Sequence, residues 1–168
     1  LTDEAVNFPT TGGTATSGLT NATTQDGDVA ITVSGGTAPN VAQLNRIGGL
    51  TTGTVTASIA GNVADLDDLT TASTDAITVT VNDAANVAQF NLIDAATSSN
   101  VVLTGGVTDA AAAYATAGGT TTAGLTAIAA QDGDAVITVS DAAKVAQFNT
   151  VDAATSSNVV LSGGLTDE

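Results

Sequence analysis

The sequence contains no histidine, cysteine, methionine or tryptophan, and only one tyrosine and three phenylalanines. Without histidine or cysteine it cannot build a Ser-His-Asp or Cys-His nucleophile system, a thiolate redox centre or an ordinary zinc site. Positive charge is nearly as scarce: Arg46 and Lys144 stand against 17 acidic residues, for a net charge of −15. Two cations cannot neutralise a phosphate backbone, which excludes nucleic acid as a partner. Charged residues of all kinds make up 11 % of the chain, where about 25 % is usual. No run of 18 apolar residues occurs, so no membrane span is expected. What remains is aliphatic. The apolar share is 43 %, carried by Ala, Val, Ile and Leu, enough for a thin folded core rather than a disordered tract. One domain is expected at this length. The opening Leu1-Thr-Asp-Glu4 has neither Met nor a basic start, and reads as the beginning of a piece of a longer chain.

Internal repetition dominates the chain. Residues 83–109 match 141–167 at a shift of 58, with five of 27 positions differing. A second relation, at a shift of 106, places Leu1–Ser34 on Val107–Ser140 and pairs QDGDVAITVS with QDGDAVITVS. It continues past a two-residue insertion, so that the related stretches are 1–59 and 107–164. Leu1-Thr-Asp-Glu4 recurs as Leu165-Thr-Asp-Glu168. The whole of 1–168 is therefore expected to be one repeat array whose pattern restarts at Leu165.

Short β-branched segments bounded by Gly, Asp or Asn predict strands at 29–34, 54–59, 76–81, 100–104, 135–140 and 158–162. In 76–81, Ile77, Val79 and Val81 are expected inside, with Thr78 and Thr80 outside. Between strands the period changes. Val41, Leu44 and Ile47, then Val87, Phe90 and Ile93, then Val63, Leu66 and Leu69 stand at i, i+3 and i+6, one face of a short helix. Asp83, Asp141 and the Thr108-Asp109 pair are expected to cap helices. The longer interval holding Thr120–Asp134 predicts a loop or an extra strand. A strand and a short helix about every 22–25 residues predict an α/β solenoid, leucine-rich-repeat-like, with parallel strands on one face and helices on the other. The alternative is an all-β solenoid in which the VAQFN segments are turns and a third strand. Ala-rich runs such as Ala110–Ala113 argue for helix.

The phrases ITVxDAAxVAQxNxIDAAT (Ile77–Thr97, and loosely Ile137–Thr155) and GGxTDAAAAYATAGG (Gly105–Gly119) carry a resemblance. The sequence resembles the internal repeats of giant, low-charge surface proteins of marine cyanobacteria and other marine bacteria. The resemblance implies an extracellular or cell-surface setting, as a spacer in an adhesin, surface layer or filament. It implies no reaction.

Few residues suggest chemistry. Gln25-Asp26-Gly-Asp28 and Gln131-Asp132-Gly-Asp134 each place two carboxylates before a strand. Asp26, Asp28, Asp132 and Asp134 are candidate calcium ligands, because calcium takes several oxygens and Asp-x-Asp with backbone carbonyls supplies them. The competing reading is a polar turn whose Asp side chains bond their own backbone. Asp65, Asp67 and Asp68 form the densest acidic group and read as a solvated face. A glycosidase built on paired carboxylates needs a pocket and sugar platforms, which one Tyr and no Trp do not furnish. Thr54, Thr56, Thr78, Thr80, Thr32 and Thr138 suggest an outward ladder of the kind ice-binding solenoids use, or simply good exposed strand residues. Phe90 and Phe148 match Leu44, and Tyr114 matches Phe8, which points to core packing. Asn45, Asn91 and Asn149 also match and are expected to bond backbone groups in turns. Taken together, these features predict a structural, non-enzymatic extracellular segment with no cofactor beyond calcium, self-associating head to tail. The alternatives are a calcium-stabilised adhesin and an ice-binding module.

Overall fold

The computed structural model describes residues 1–166; Asp167 and Glu168, which close the repeated Leu-Thr-Asp-Glu and the 141–167 copy, lie outside the described residues. The element order is β1 (Thr2–Asp3), α1 (Ser17–Gln25), β2 (Ile31–Val33), α2 (Val41–Gly48), β3 (Val55–Gly61), α3 (Val63–Leu66), β4 (Ala76–Val81), α4 (Val87–Ala95), β5 (Val101–Leu103), β6 (Val107–Asp109), α5 (Ala111–Tyr114), α6 (Ala123–Gln131), β7 (Ile137–Val139), β8 (Ala143–Lys144), α7 (Val145–Asp152), β9 (Val159–Leu161) and β10 (Leu165–Thr166). This is a mixed α/β chain with parallel sheets and short helices. All six expected strands are present. The all-β alternative is overturned, because the three VAQ segments are α2, α4 and α7. Their i, i+3 apolar spacing cannot bury one side of a strand, whose period is two.

The chain divides into two compact units, Leu1–Thr80 with Leu92–Asn100, and Val81–Asn91 with Val101–Glu168. In unit 1, β1, β2, β3 and β4 lie side by side in that order. Thr2 pairs in parallel with Thr32, and Ile31 with Val55. In unit 2 the order is β6-β7-β9, with β10 beside β8. Val107 pairs upstream with Ala85 and downstream with Ile137, which leads on to Val159. Ala143 pairs with Leu165. Each of these parallel pairs joins residues 22–30 positions apart along the chain.

The alternation in β4 is as expected. Ile77, Val79 and Val81 are fully buried while Thr78 faces water, and each such burial is worth about 1.5–3 kcal/mol. Phe8, Phe90 and Tyr114 are core residues. Phe148, the copy of Phe90, is only half-buried. The Tyr114 hydroxyl donates to the Thr138 carbonyl at 3.3 Å. Burial, and then the charge of Asp109, push its phenol well above the usual range.

Two helices fall where no helix was expected. The Thr120–Asp134 interval, read as a loop or extra strand, contains α6, and its copy in unit 1 contains α1. Both begin on a threonine: the Thr122 hydroxyl accepts from Leu125 N at 3.2 Å, and that of Thr16 from Leu19 N at 3.3 Å. A threonine cap followed by a small-residue helix reads in one dimension like turn-rich sequence. The expected aspartate caps are also corrected. Asn86 and Lys144 precede α4 and α7, and Gln89 and Gln147 reach back to accept their backbone N–H groups at 3.1 and 3.0 Å. Asp141 instead accepts from Ala111 N at 2.7 Å, at the start of α5. Asp109 accepts from Ala110 N at 2.8 Å and from Val87 N, 22 residues earlier, at 3.1 Å. Residues 83–86 and 141–144 lie outside the helices that follow them, which carries the carboxylates too far from those helix starts. The Val63–Leu69 helix is shorter than its spacing implied, ending at Leu66, although Leu69 remains buried.

Side chains tie successive segments together through the backbone. Gln43 Nε2 donates to Pro9 O at 3.0 Å, and Gln147 Nε2 to the matching Ala115 O at 2.8 Å. Three threonines repeat one clasp: Thr51 Oγ1 donates to Val29 O at 2.7 Å, Thr97 to Ile77 O at 2.6 Å, and Thr155 to Ala135 O at 2.7 Å. Each hydroxyl also accepts from the backbone N–H two positions on, in Gly53, Ser99 and Ser157, the geometry of an ST turn. Asp75 is buried in unit 1, accepting from Val55 N at 2.7 Å and Ala72 N at 3.0 Å.

Candidate functional site

The two QDGD turns are built alike, one in each unit. Within each, the two carboxylates meet. The Asp26 carboxyl is raised above the ordinary range by its hydrogen bond to Asp28, and that of Asp132 by desolvation and then by its bond to Asp134. Two carboxylates placed this close repel one another.

The carbonyl oxygens beside them already have partners. Gly27 O accepts from Thr52 N at 2.9 Å, and Gly133 O from Ser156 N at 2.8 Å. Asp134 O accepts from the Ser157 hydroxyl. Gln131 and Asp132 also serve β5, their side-chain oxygens accepting from Val101 N at 3.2 Å and Leu103 N at 2.5 Å. The carbonyl oxygens of Gly27, Gly133 and Asp134, the Gln131 amide oxygen and the Asp132 carboxyl are therefore already engaged. Among the described residues no group of three or more carboxylates is arranged to hold a metal ion.

These shifts set a pH dependence. A carboxyl whose pKa is raised in the folded chain binds its proton more tightly folded than unfolded. Stability from this source therefore falls as pH rises from the ordinary aspartate value through the raised one. Asp134→Asn is expected to raise the melting temperature by about 1–3 °C at pH 7, since the pair is largely exposed and screened. The gain should shrink at pH 3, below the ordinary aspartate value, where protonation of Asp132 relieves the repulsion. Thermal unfolding at the two pH values measures it; a loss of stability at pH 7 would contradict the repulsion.

Of the matched asparagines, Asn45 does what its position suggested. Its amide donates to Asp68 O at 2.9 Å and accepts from Thr70 N at 2.7 Å. Asn91 and Asn149 are exposed. Asn45 also lines an open cleft of about 590 Å3 in unit 1, bounded by the start of α2, the end of β3, and α3. Asp65 and Asp68 stand on this cleft and Asp67 does not. Unit 2 has a smaller depression of about 380 Å3 beside Gly119 and Asn149, with no charged residue on it.

The outward threonines align. Thr2, Thr32 and Thr56 are in register across β1, β2 and β3. In unit 2, Thr108 and Thr138 are in register, and the next position is Val160.

No protein family, curated protein or solved structure matches this chain. No helix among the described residues is long and apolar enough to cross a membrane.

Sequence reasoning missed the clasp threonines, the buried glutamines, Asp75 and the cleft. A signal for the first was present in the recurring TTG and TSS triplets. Asn40-x-x-Gln43 and Asn86-x-x-Gln89 carry the spacing of a capping box.

Proposed function

We propose that this chain is a structural, non-enzymatic segment of an extracellular repeat protein. Its βα segments stack as an α/β solenoid that extends head to tail into a rod or surface-layer shaft. The observation that carries this reading is the register of the parallel pairs, in which each strand lies on one 22–30 residues earlier. Stacking of that kind propagates without a natural stop. The resemblance to surface-protein repeats and the non-sticky, acidic composition agree with it. Val107–Asp109, the copy of Leu1–Asp3, is paired on both sides. Asp109 reaches upstream to Val87, whereas Asp3 bonds Glu4 N and Asn7 Nδ2 nearby. The upstream edge of β1 therefore presents the groups that a preceding segment would engage.

The calcium-stabilised adhesin draws less support, because the Asp132 carboxyl and the carbonyls of Gly27, Gly133 and Asp134 already have partners. The ice-binding module also draws less support, because its ladder is interrupted at Val160.

Electron microscopy of the purified protein at neutral pH, with and without EDTA, tests the proposal. Rods of uniform width that lengthen with concentration in both conditions are expected. Discrete single-chain particles in both would overturn self-assembly, and rods lost on chelation would favour the calcium reading.

A further inference from the structure

The downstream edge of β5 is closed within unit 2 by side chains arriving from the end of α6. Gln131 Oε1 accepts from Val101 N at 3.2 Å and Asp132 Oδ2 from Leu103 N at 2.5 Å. Val101 and Leu103 are buried. β9 is the copy of β5 at the shift of 58, and it is the last strand of its sheet. Ser162 N donates inward to Val139 O, so the alternation of a parallel ladder turns the Val159 and Leu161 N–H groups to the outer edge. Val159, Leu161 and Phe148 are only half-buried. Val145 is 42 % exposed, where its copy Val87 is 8 % exposed.

The cover for such an edge exists near the other end of the sequence. Residues 1–34 copy 107–140 without a gap and share their build. Thr2 pairs with Thr32 as Thr108 does with Thr138, and Thr16 caps α1 as Thr122 caps α6. Gln25 and Asp26 therefore stand where Gln131 and Asp132 stand, yet both are exposed. The Asp26 side chain bonds Asp28, and neither side chain bonds a strand among the described residues. The spacing agrees as well. Gln131 lies 30 residues after Val101, and Gln25 of a second copy whose Leu1 falls on Leu165 lies 30 residues after Val159.

Resting on the head-to-tail reading above, we infer that β9 of one chain is closed by Gln25 and Asp26 of a second copy of this chain. The Gln25 amide oxygen accepts from Val159 N, and the Asp26 carboxylate from Leu161 N. In this register Leu1-Thr2 of the second copy takes the place on β8 that Leu165-Thr166 fills. Both belong to the same Leu-Thr-Asp-Glu sequence and β10 is two residues long, so the exchange replaces like with like. β1 keeps its pairing with β2 and gains an upstream partner, as Val107 has in Ala85. The joint uses backbone N–H groups as donors, which suits a chain with only two cationic side chains.

Sedimentation velocity of the intact chain over a range of concentrations tests the joint, at pH 7 and about 0.15 M salt to screen the repulsion between chains of net charge −15. The double variant Q25A/D26A should weaken association at least tenfold, through loss of two hydrogen bonds, one of them to a charged group. D65A removes the same charge from a different segment and should leave association unchanged. General charge repulsion predicts the opposite, tighter association in both variants. The melting temperature of Q25A/D26A should not fall below the parent's, since neither side chain holds a strand of its own chain. Hydrogen exchange of the parent chain gives a second readout: protection at Val159 and Leu161 should rise with concentration, while Val101 and Leu103 stay protected throughout. Association retained in Q25A/D26A, equal loss in D65A, or association without protection at Val159 and Leu161 would overturn this joint and leave self-assembly standing. Absence of association up to about 1 mM would overturn both.

Discussion

Replacing Gly105 with alanine is expected to cost more than about 3 kcal/mol, lowering the melting temperature by about 6–12 °C in a chain of this size. A methyl group at Gly105 would lie 2.1 Å from the carbonyl carbon of Asp83, inside the backbone of the preceding segment. No rotamer relieves such a collision, because the neighbour is main chain. The same approach recurs at Gly53 against Asp28 and at Gly163 against Asp141, so the three glycines set how closely adjacent segments lie. Gly118→Ala supplies the control. Nothing lies within 4 Å of a methyl group there and its backbone is not left-handed. That substitution should be neutral or stabilise by about 0.4–1 kcal/mol through the unfolded state. Denaturant unfolding of the pair decides the matter: equal effects would show that close approach at Gly105 is not what the glycine is for.

The second large effect is expected at Asp75. Its carboxylate is 3 % exposed and takes the N–H groups of Val55 and Ala72, while its own carbonyl takes Ser98 N at 2.8 Å. Asp75→Ala removes both side-chain acceptors and leaves the Val55 N–H buried without a partner. Hydrogen bonds to a charged group contribute about 1.5–3 kcal/mol each, so a loss of about 3 kcal/mol or more is expected. Asp75→Asn keeps one acceptor and should fall about midway. The urea midpoint should drop with the slope unchanged, and amide exchange at Val55 should quicken out of proportion to its neighbours. A shift below about 1 kcal/mol in the alanine variant would mean that other groups replace the carboxylate.

These two sites mark the boundary of what the sequence disclosed. Strand positions were legible because Ile77, Val79 and Val81 alternate with threonines, and α2, α4 and α7 because Val-x-x-Leu/Phe-x-x-Ile/Val repeats at helical spacing. The helices α1 and α6 were hidden by threonine and glycine at their starts. Asp141 bonds Ala111, and Asp109 bonds Val87 as well as its neighbour Ala110, so each has a partner far away along the chain. Local reading cannot supply such distant partners. Phe90 and Phe148 are identical in type and differ in burial, since burial depends on which segments surround each copy. The QDGD carboxylates were found readily, but the backbone donors that engage Asp132 and its neighbours come from β5 and from the turn before β9. The cleft depends on how α3 folds back beside α2, and no short motif encodes that.

The threonine clasps have a consequence for descent. Thr51, Thr97 and Thr155 grip carbonyl oxygens, which every residue carries, and do not address the side chains of the segment they hold. A duplicated segment inserted between two others meets the same main-chain atoms it left, whatever its new neighbours are. Lengthening by tandem copying then requires no matching substitutions elsewhere, and copies can diverge at outward positions while remaining interchangeable. The few differences between 83–109 and 141–167 are what such freedom would leave behind.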